Sequence, residues 1–205
     1  MEEQEAINLL IEEYECKSKI IKKLKIYREI LLDYNKKFNL IAKSTENQIW
    51  CRHILDSAQL IKFIEMNDNQ SLSDLGSGAG FPGLVIALFN QNPKFHVKLY
   101  EKSKKKCNFL SAVRDMTKSK FEICENSYEN HLIDSNYIVC RAFKKLPEIL
   151  RISREIAKKP HKLIVLKGQN AQEEAIKAFK SYKYSYKLEK SMTDEKSKII
   201  VADIF

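Results

Sequence analysis

The chain has 205 residues, 44% of them hydrophobic and 31% charged, which suits one folded unit with a good-sized core and excludes compositional disorder or two ordinary-sized domains. The apolar part of its longest uncharged run, Leu75 to Phe89, is too short and too glycine-interrupted for a membrane span. The net charge of +9 points to a polyanionic partner such as nucleic acid, although 30 lysines against 6 arginines equally suit a merely lysine-rich surface. Residues 1–65 carry 11 basic and 11 acidic side chains, so the excess lies in residues 66–205, with 25 basic against 16 acidic. It concentrates in residues 102–120 and 141–167. The acidic start, Met1-Glu2-Glu3-Gln4-Glu5, does not resemble a secretory signal. Five scattered cysteines without a Cys-x-x-Cys pair fit neither a disulfide framework nor a zinc ribbon, and no metal is expected. A cytoplasmic location follows as the expectation.

Apolar residues at helical spacing, Ile7, Leu10, Ile11 and Tyr14 and then Ile20, Leu24, Tyr27, Leu31 and Tyr34, predict two amphipathic helices or one bent helix over residues 3–35. Thr45 and Gln48 have the spacing of a capping box that would open a helix through about Phe63. Within it Arg52 and Asp56 stand at i, i+4, the spacing of a helical salt bridge, and His53 lies at i, i+3 from Asp56. His53 suits either a structural or a substrate-facing role.

After the polar linker Met66 to Gln70, short apolar runs alternate with helical segments. Strands are predicted at Leu72–Leu75, Phe95–Glu101, Phe121–Cys124, Tyr137–Arg141 and Lys162–Lys167. Helices are predicted at Pro82–Asn90, Ser103–Thr117, Leu146–Lys158 and Ala171 to about Phe179. Tyr182–Glu189 and Lys198–Phe205 read as a closing hairpin. This grammar predicts an α/β fold, a doubly wound and mostly parallel sheet with a C-terminal antiparallel hairpin and an N-terminal helical extension. Residues 1–65 would form the extension, packed on a core domain of residues 70–205.

Four of the five glycines lie within eight residues, in Asp74-Leu75-Gly76-Ser77-Gly78-Ala79-Gly80-Phe81-Pro82-Gly83. The cluster follows the first strand and precedes its helix, where a doubly wound fold brings backbone against a ligand. A dinucleotide fingerprint would read G-x-G-x-x-G; here the third glycine comes one residue early and Phe81 stands in its place. Glu101 ends the second strand, where a carboxylate accepts hydrogen bonds from a ribose diol. Arg141 and Lys167 end the fourth and fifth strands and so share the carboxyl edge with Asp74 and Glu101; Lys167 also suits a salt-bridged rim charge.

Asp74-x-Gly-x-Gly-x-Gly with Glu101 resembles a class I (Rossmann-like) S-adenosylmethionine-dependent methyltransferase. Taken in order with Arg52-His53-Ile54-Leu55-Asp56-Ser57, Lys105-Lys106-Cys107-Asn108-Phe109-Leu110, Arg141-Ala142-Phe143 and Leu166-Lys167-Gly168, the loop resembles the small-subunit ribosomal RNA methyltransferase G family, also called glucose-inhibited division protein B. The resemblance runs from about Tyr34 to the C-terminus. It implies methylation of a guanine N7 in 16S rRNA, S-adenosylmethionine as cofactor, and cofactor contacts at Gly76, Phe81, Tyr128, Glu129 and Arg141. The loop and strand-end reading adds Asp74, Ser77, Gly78, Gly80 and Glu101. Arg52, Lys104, Lys105, Lys106, Lys144, Lys145 and Lys167 are the expected RNA contacts, on one basic face built from residues 102–120 and 141–167. Because N7 offers a lone pair without deprotonation, Arg141, His53 and Asp56 are expected to position rather than to act as general base. The partner would be 16S rRNA or the small ribosomal subunit, with no membrane, and the enzyme a monomer. The alternatives are a class I methyltransferase acting on another RNA, DNA or protein, or a non-catalytic ribosome-binding factor.

Overall fold

The computed structural model describes residues 1–125, 128, 132–180, 182 and 184–205. Helices α1 (Glu3–Tyr14) and α2 (Ser18–Phe38) are separate, because Glu15 turns into a left-handed conformation, φ 49°, and its amide closes on Leu10 O. Each buries one apolar stripe, Ala6, Ile7, Leu10 and Tyr14 on α1 and Ile20, Leu24, Tyr27 and Leu31 on α2.

The third helical stretch differs from expectation. It runs as a 3₁₀ turn (Lys43–Gln48), a π turn (Trp50–Leu55), a short α3 (Asp56–Ala58) and a second 3₁₀ turn (Gln59–Phe63). Thr45 does not cap it; its hydroxyl donates back to Ala42 O at 2.8 Å. In the π turn the Asp56 amide reaches Cys51 O, one residue further back than in an α-helix.

Strands β1 (Ser71–Leu75), β2 (His96–Tyr100), β3 (Glu122–Cys124), β4 (Tyr137–Arg141), β5 (His161–Lys167), β6 (Tyr186–Lys190) and β7 (Lys198–Ile204) form one sheet in the order β3-β2-β1-β4-β5-β7-β6. The first five are parallel; β7 runs antiparallel to both β5 and β6. Between them lie α4 (Gly83–Phe89), α5 (Lys104–Thr117), α6 (Leu146–Ile156) and α7 (Ala171–Phe179). The chain fills one side of β1 with β2 and β3, then crosses to β4 on the other, so β1 and β4 mark the switch point where such sheets bind ligands.

Alternation along the strands divides the core into two layers. Val139, Ile164, Leu166 and Ile199 face a layer shared with α1, α2, α4 and α5. Ile138, Cys140, Leu163, Val165 and Ile200 face α6 and α7. The buried apolar side chains of residues 1–65 therefore lie in the same cluster as the helices flanking the glycine loop.

Two boundaries moved inward by two residues or more. Helix α6 ends at Ile156 rather than Lys158, because Ala157 turns extended and pairs with Ile133. The first hairpin arm starts at Tyr186 rather than Tyr182; Tyr182 and Tyr184 stack on each other at 5.8 Å, and the Arg154 guanidinium sits 4.5 Å from the Tyr182 ring.

Candidate active site

The glycine loop leaves the carboxyl end of β1 and folds back on β2. Tyr100 O accepts the amides of both Gly76 and Ser77 at 3.0 Å, and Ser77 O accepts the Gly80 amide at 2.7 Å. Glu101, just beyond β2, binds the Gly78 amide with one carboxylate oxygen (2.9 Å) and the Ser103 amide with the other (2.8 Å). These amides are spent within the chain, so the loop is not the open nest of N–H groups that a pyrophosphate needs. Gly78, at φ +58°, has only Gly76 O at 3.7 Å near the place of a Cβ among the described residues, which leave its outer side open. Gly76 is closed: at φ +72° a Cβ would lie 2.7 Å from the Phe143 ring.

Asp74, expected to face the cofactor, lies beneath the loop instead. It is 0% exposed, and its Oδ2 accepts the Gly83 amide at 3.1 Å. Burial pushes its carboxyl up to about 7, against the opposing hydrogen bonds from Ser77 and the Gly83 amide. Asp74 thus shapes the loop from behind. Ser77 is likewise buried, its hydroxyl donating to Asp74 O.

Phe81 joins the loop to the N-terminal helices. Its ring stacks on His53 at 4.9 Å, lies 5.4 Å from Tyr27, and has the Arg141 guanidinium 5.8 Å above it. The Tyr27 hydroxyl donates to Ala79 O, so α2 fastens the loop directly. Burial, then Arg141 and Arg52, pull the His53 imidazole down to about 3, which leaves it neutral at physiological pH. The Thr45 hydroxyl proton goes to Ala42 O, so the 2.9 Å contact of Thr45 with His53 Nε2 makes Nε2 the donor. His53 is a seated ring rather than a free base.

Arg141 closes β4. Its Nε lies 3.4 Å from Asp56 Oδ2, its Nη2 donates to Arg52 O at 2.7 Å, and its Nη1 is buried without a partner among the described residues. The expected Arg52–Asp56 helical pair is absent; Arg52 reaches Asp194 (3.4 Å) in the hairpin turn. Competing partners take both groups: Asp56 is held by Arg141 and Thr193, and Arg52 by Asp194. Asp56 also accepts from Thr193 Oγ1 (2.8 Å) and Ser191 Oγ (3.3 Å), and Gln59 Oε1 accepts the Met192 amide (2.6 Å). These residues frame a pocket of about 410 Å³ at the ends of β4 and β5, lined by Arg52, Asp56, Arg141, Lys167, Asn170 and Thr193 among others.

Ala142, at φ 48°, turns the chain beyond β4, and the Phe143 ring then lies over Gly76 and edge-on to Tyr128 at 5.1 Å. Tyr128 is buried on this side of the loop. Glu129 falls outside the described residues.

Comparison with known proteins settles the family. A family model described as rRNA small subunit methyltransferase G matches residues 20–200. "Ribosomal RNA small subunit methyltransferase G" of Rickettsia akari is 35% identical over 186 residues, covering 91% of this chain and 95% of the relative; that of Rickettsia typhi is 36% identical with the same coverage. The chain belongs to the rRNA small subunit methyltransferase G family. Solved structures agree on the fold. A SAM-dependent methyltransferase from Aquifex aeolicus superposes with TM-score 0.55 at 13% identity, over 72% of this chain and 88% of that one. M. jannaschii TYW2 in complex with AdoMet gives 0.51 at 14%, over 71% of each. The class I methyltransferase fold and the family read from the motifs are thus established, and the chain is an S-adenosylmethionine-dependent methyltransferase.

In this methyltransferase G chain the basic segment 102–120 does not keep to one face, although the named RNA contacts in it and in 141–167 lie at the carboxyl edge. Lys104, Lys105 and Lys106 open α5 at the carboxyl edge, whereas Arg114, Lys118 and Lys120 lie at or beyond its far end. Several carboxyl-edge cations are already paired: Lys104 with Glu125, Lys144 with Glu148 (2.5 Å) and Lys167 with Glu174 (2.8 Å). Lys167, 15% exposed, also donates to Lys144 O, which makes it a brace between β5, α6 and α7 in the pocket wall. Lys105 lies 5.6 Å over the Phe38 ring, and Lys145 is exposed. Tyr27, Phe143 and Thr193 are site residues that the sequence reading assigned no role. Phe143 alone carried a signal, standing beside Arg141 in the Arg-Ala-Phe motif.

Proposed function

We propose that this enzyme methylates N7 of a guanine in 16S rRNA in the cytoplasm, with residues 1–65 and 70–205 acting as one unit. The observation that carries this reading is the adjacency of two seats at the switch point. One is the glycine loop with Glu101; the other is the pocket beyond Arg141. S-adenosylmethionine, when bound, supplies an electrophilic methyl group on a sulfonium. The residues present fit it: Gly78 leaves a path beside the loop, Glu101 has lone pairs for ribose hydroxyls, Tyr128 and Phe143 offer aromatic surface for an adenine, and Arg141 Nη1 awaits an acceptor. A loop whose amides are spent internally suits a cofactor without a pyrophosphate.

The pocket of about 410 Å³ is the proposed seat of the guanine, which would be presented unpaired, as bases in RNA loops are. Guanine N7 carries an in-plane lone pair and loses no proton in the transfer, so the chain's task is alignment. Arg141, held by Asp56 and by Arg52 O, fixes the boundary between the two seats. His53 keeps Phe81 in place and moves no proton. The test is to incubate the enzyme and methyl-labelled cofactor with 16S rRNA from cells lacking this protein, then map the modified base. Label at a guanine N7 is expected; label only on DNA, protein or another RNA atom overturns the reading.

A further inference from the structure

At the opposite end of the sheet lies a larger groove, of about 920 Å³. It runs under the amino ends of the parallel strands, where the chain enters β1 at Ser71, β2 at His96 and β3 at Glu122, and where Asp134 and Lys159 lead into β4 and β5. Six cationic side chains line it: Lys23, Lys98, Arg114, Lys118, Lys120 and Lys159. Two acids line it as well, and each is taken. Glu122 pairs with Lys98 at 3.7 Å and Asp134 with Lys159 at 2.8 Å. Arg114 leans on its exposed neighbour Asp115 at 3.4 Å.

Lys23, Lys118 and Lys120 keep their charge without an acidic partner among the described residues. Lys23 meets only the Ser119 hydroxyl, at 2.9 Å, and burial together with Lys19 draws its ammonium below the usual lysine range. On the carboxyl edge Lys104, Arg141, Lys144 and Lys167 are paired with acids, while Lys105, Lys106 and Lys145 have no acidic partner among the described residues. A lysine-rich composition alone would leave unpaired charge on convex surface; here it gathers around a concavity.

The groove and the methyl-transfer site are linked by α5, whose 14 residues span ~21 Å between the two edges. From this we infer that the amino-edge groove is a second RNA seat, binding phosphodiesters of a segment of the substrate remote from the target guanine. The inference rests on the proposed RNA substrate. Charge complementarity selects the occupant, since the surplus cations suit a chain of regularly spaced anions, and the polar side chains of Asn69, Gln91 and Ser119 between them suit ribose and phosphate oxygens.

The test compares wild type with Lys118→Gln/Lys120→Gln and with Lys118→Glu/Lys120→Glu. Both lysines are exposed, so the fold is not at stake. Binding of a 16S rRNA transcript is followed by anisotropy across a salt series without cofactor, and single-turnover methyl transfer is measured at saturating transcript. The Gln pair should weaken binding roughly tenfold near physiological salt and lower the log–log salt slope by about 1.4, that is ~0.7 for each of two phosphate contacts. The saturated transfer rate should not change. Unchanged affinity and slope, with methyl transfer intact, overturn the groove and leave the proposed function standing. Groove-dependent binding by an enzyme that labels no rRNA does the reverse. Weakened binding to 30S particles with unchanged binding to the naked transcript also overturns the inference, because the groove would then meet a ribosomal protein.

Discussion

Asp56 Oδ2 stands 3.4 Å from Arg141 Nε, and both side chains are largely buried. The pair joins the helical segment before the sheet to the end of β4 and leaves Arg141 Nη1 without a partner among the described residues. Removing one partner of such a pair strands a charge away from water. Asp56→Ala is therefore expected to cost about 3 kcal/mol of stability in denaturant unfolding. Arg141→Ala is expected to lower single-turnover transfer more than tenfold, from the loss of a charged hydrogen bond worth about 1.5–3 kcal/mol. Wild-type transfer by folded Arg141→Ala would remove Arg141 from the site.

Two glycines of the loop should fail in different ways. Gly76→Ala meets the Phe143 ring and a left-handed backbone, so stability should fall by about 1–3 kcal/mol. Gly78→Asn meets open space at an angle asparagine tolerates; it should melt like wild type and lose S-adenosylmethionine binding. Calorimetry that finds wild-type affinity in Gly78→Asn would show that the cofactor sits elsewhere.

Glu101 serves the loop as well as the proposed ribose. Its oxygens hold the Gly78 and Ser103 amides, so Glu101→Ala loosens the loop and removes the acceptor together. Cofactor affinity should drop by about tenfold to a hundredfold, from a loss of 1.5–3 kcal/mol. Glu101→Gln retains one acceptor oxygen and should fall between. Equal affinities in all three proteins would leave the carboxylate without a binding role.

Burial gives His53 and Asp74 opposite effects on stability against pH. The folded His53 titrates near 3 against an ordinary 6.5. As pH falls through that window the unfolded chain gains a proton the folded chain refuses, and stability drops by about 1.4 kcal/mol per unit. Folded Asp74 titrates near 7 against 3.8; there the folded chain holds the extra proton, and stability drops as pH rises. Between about pH 4 and 6.5 the two slopes oppose each other. His53→Phe should therefore make the protein relatively more stable toward acid, and Asp74→Asn relatively more stable toward neutrality, in urea titrations at stepped pH. The saturated transfer rate of wild type should show no histidine-like inflection near neutrality.

Much of this was readable from local pattern. Tyr137–Arg141 is an apolar run ending in a charge, and β4 has those bounds. The glycine spacing and Glu101 meet as expected, because both features belong to consecutive parallel strands in register. What failed was whatever depends on turn geometry or distance. The partners of Asp56 and Arg52 come from the end of β4 and the hairpin turn, far along the chain, so the Arg52–Asp56 pairing was misread. Tyr27 looked like any core residue of an amphipathic helix, since its acceptor Ala79 lies 52 residues away. The single basic face failed for a different reason: a helix carries successive charges from one edge of the sheet to the other.

The hairpin turn that closes the pocket is fastened to the helical segment before the sheet, with Thr193 on Asp56 and the Met192 amide on Gln59, across 137 and 133 residues of chain. These positions form a single structural unit despite their separation. A chimera taking residues 1–65 from one relative and the remainder from another would inherit two halves of a pocket wall shaped for different partners. Exchanging Asp56, Gln59 and the Ser191-to-Asp194 turn together would transplant the wall whole.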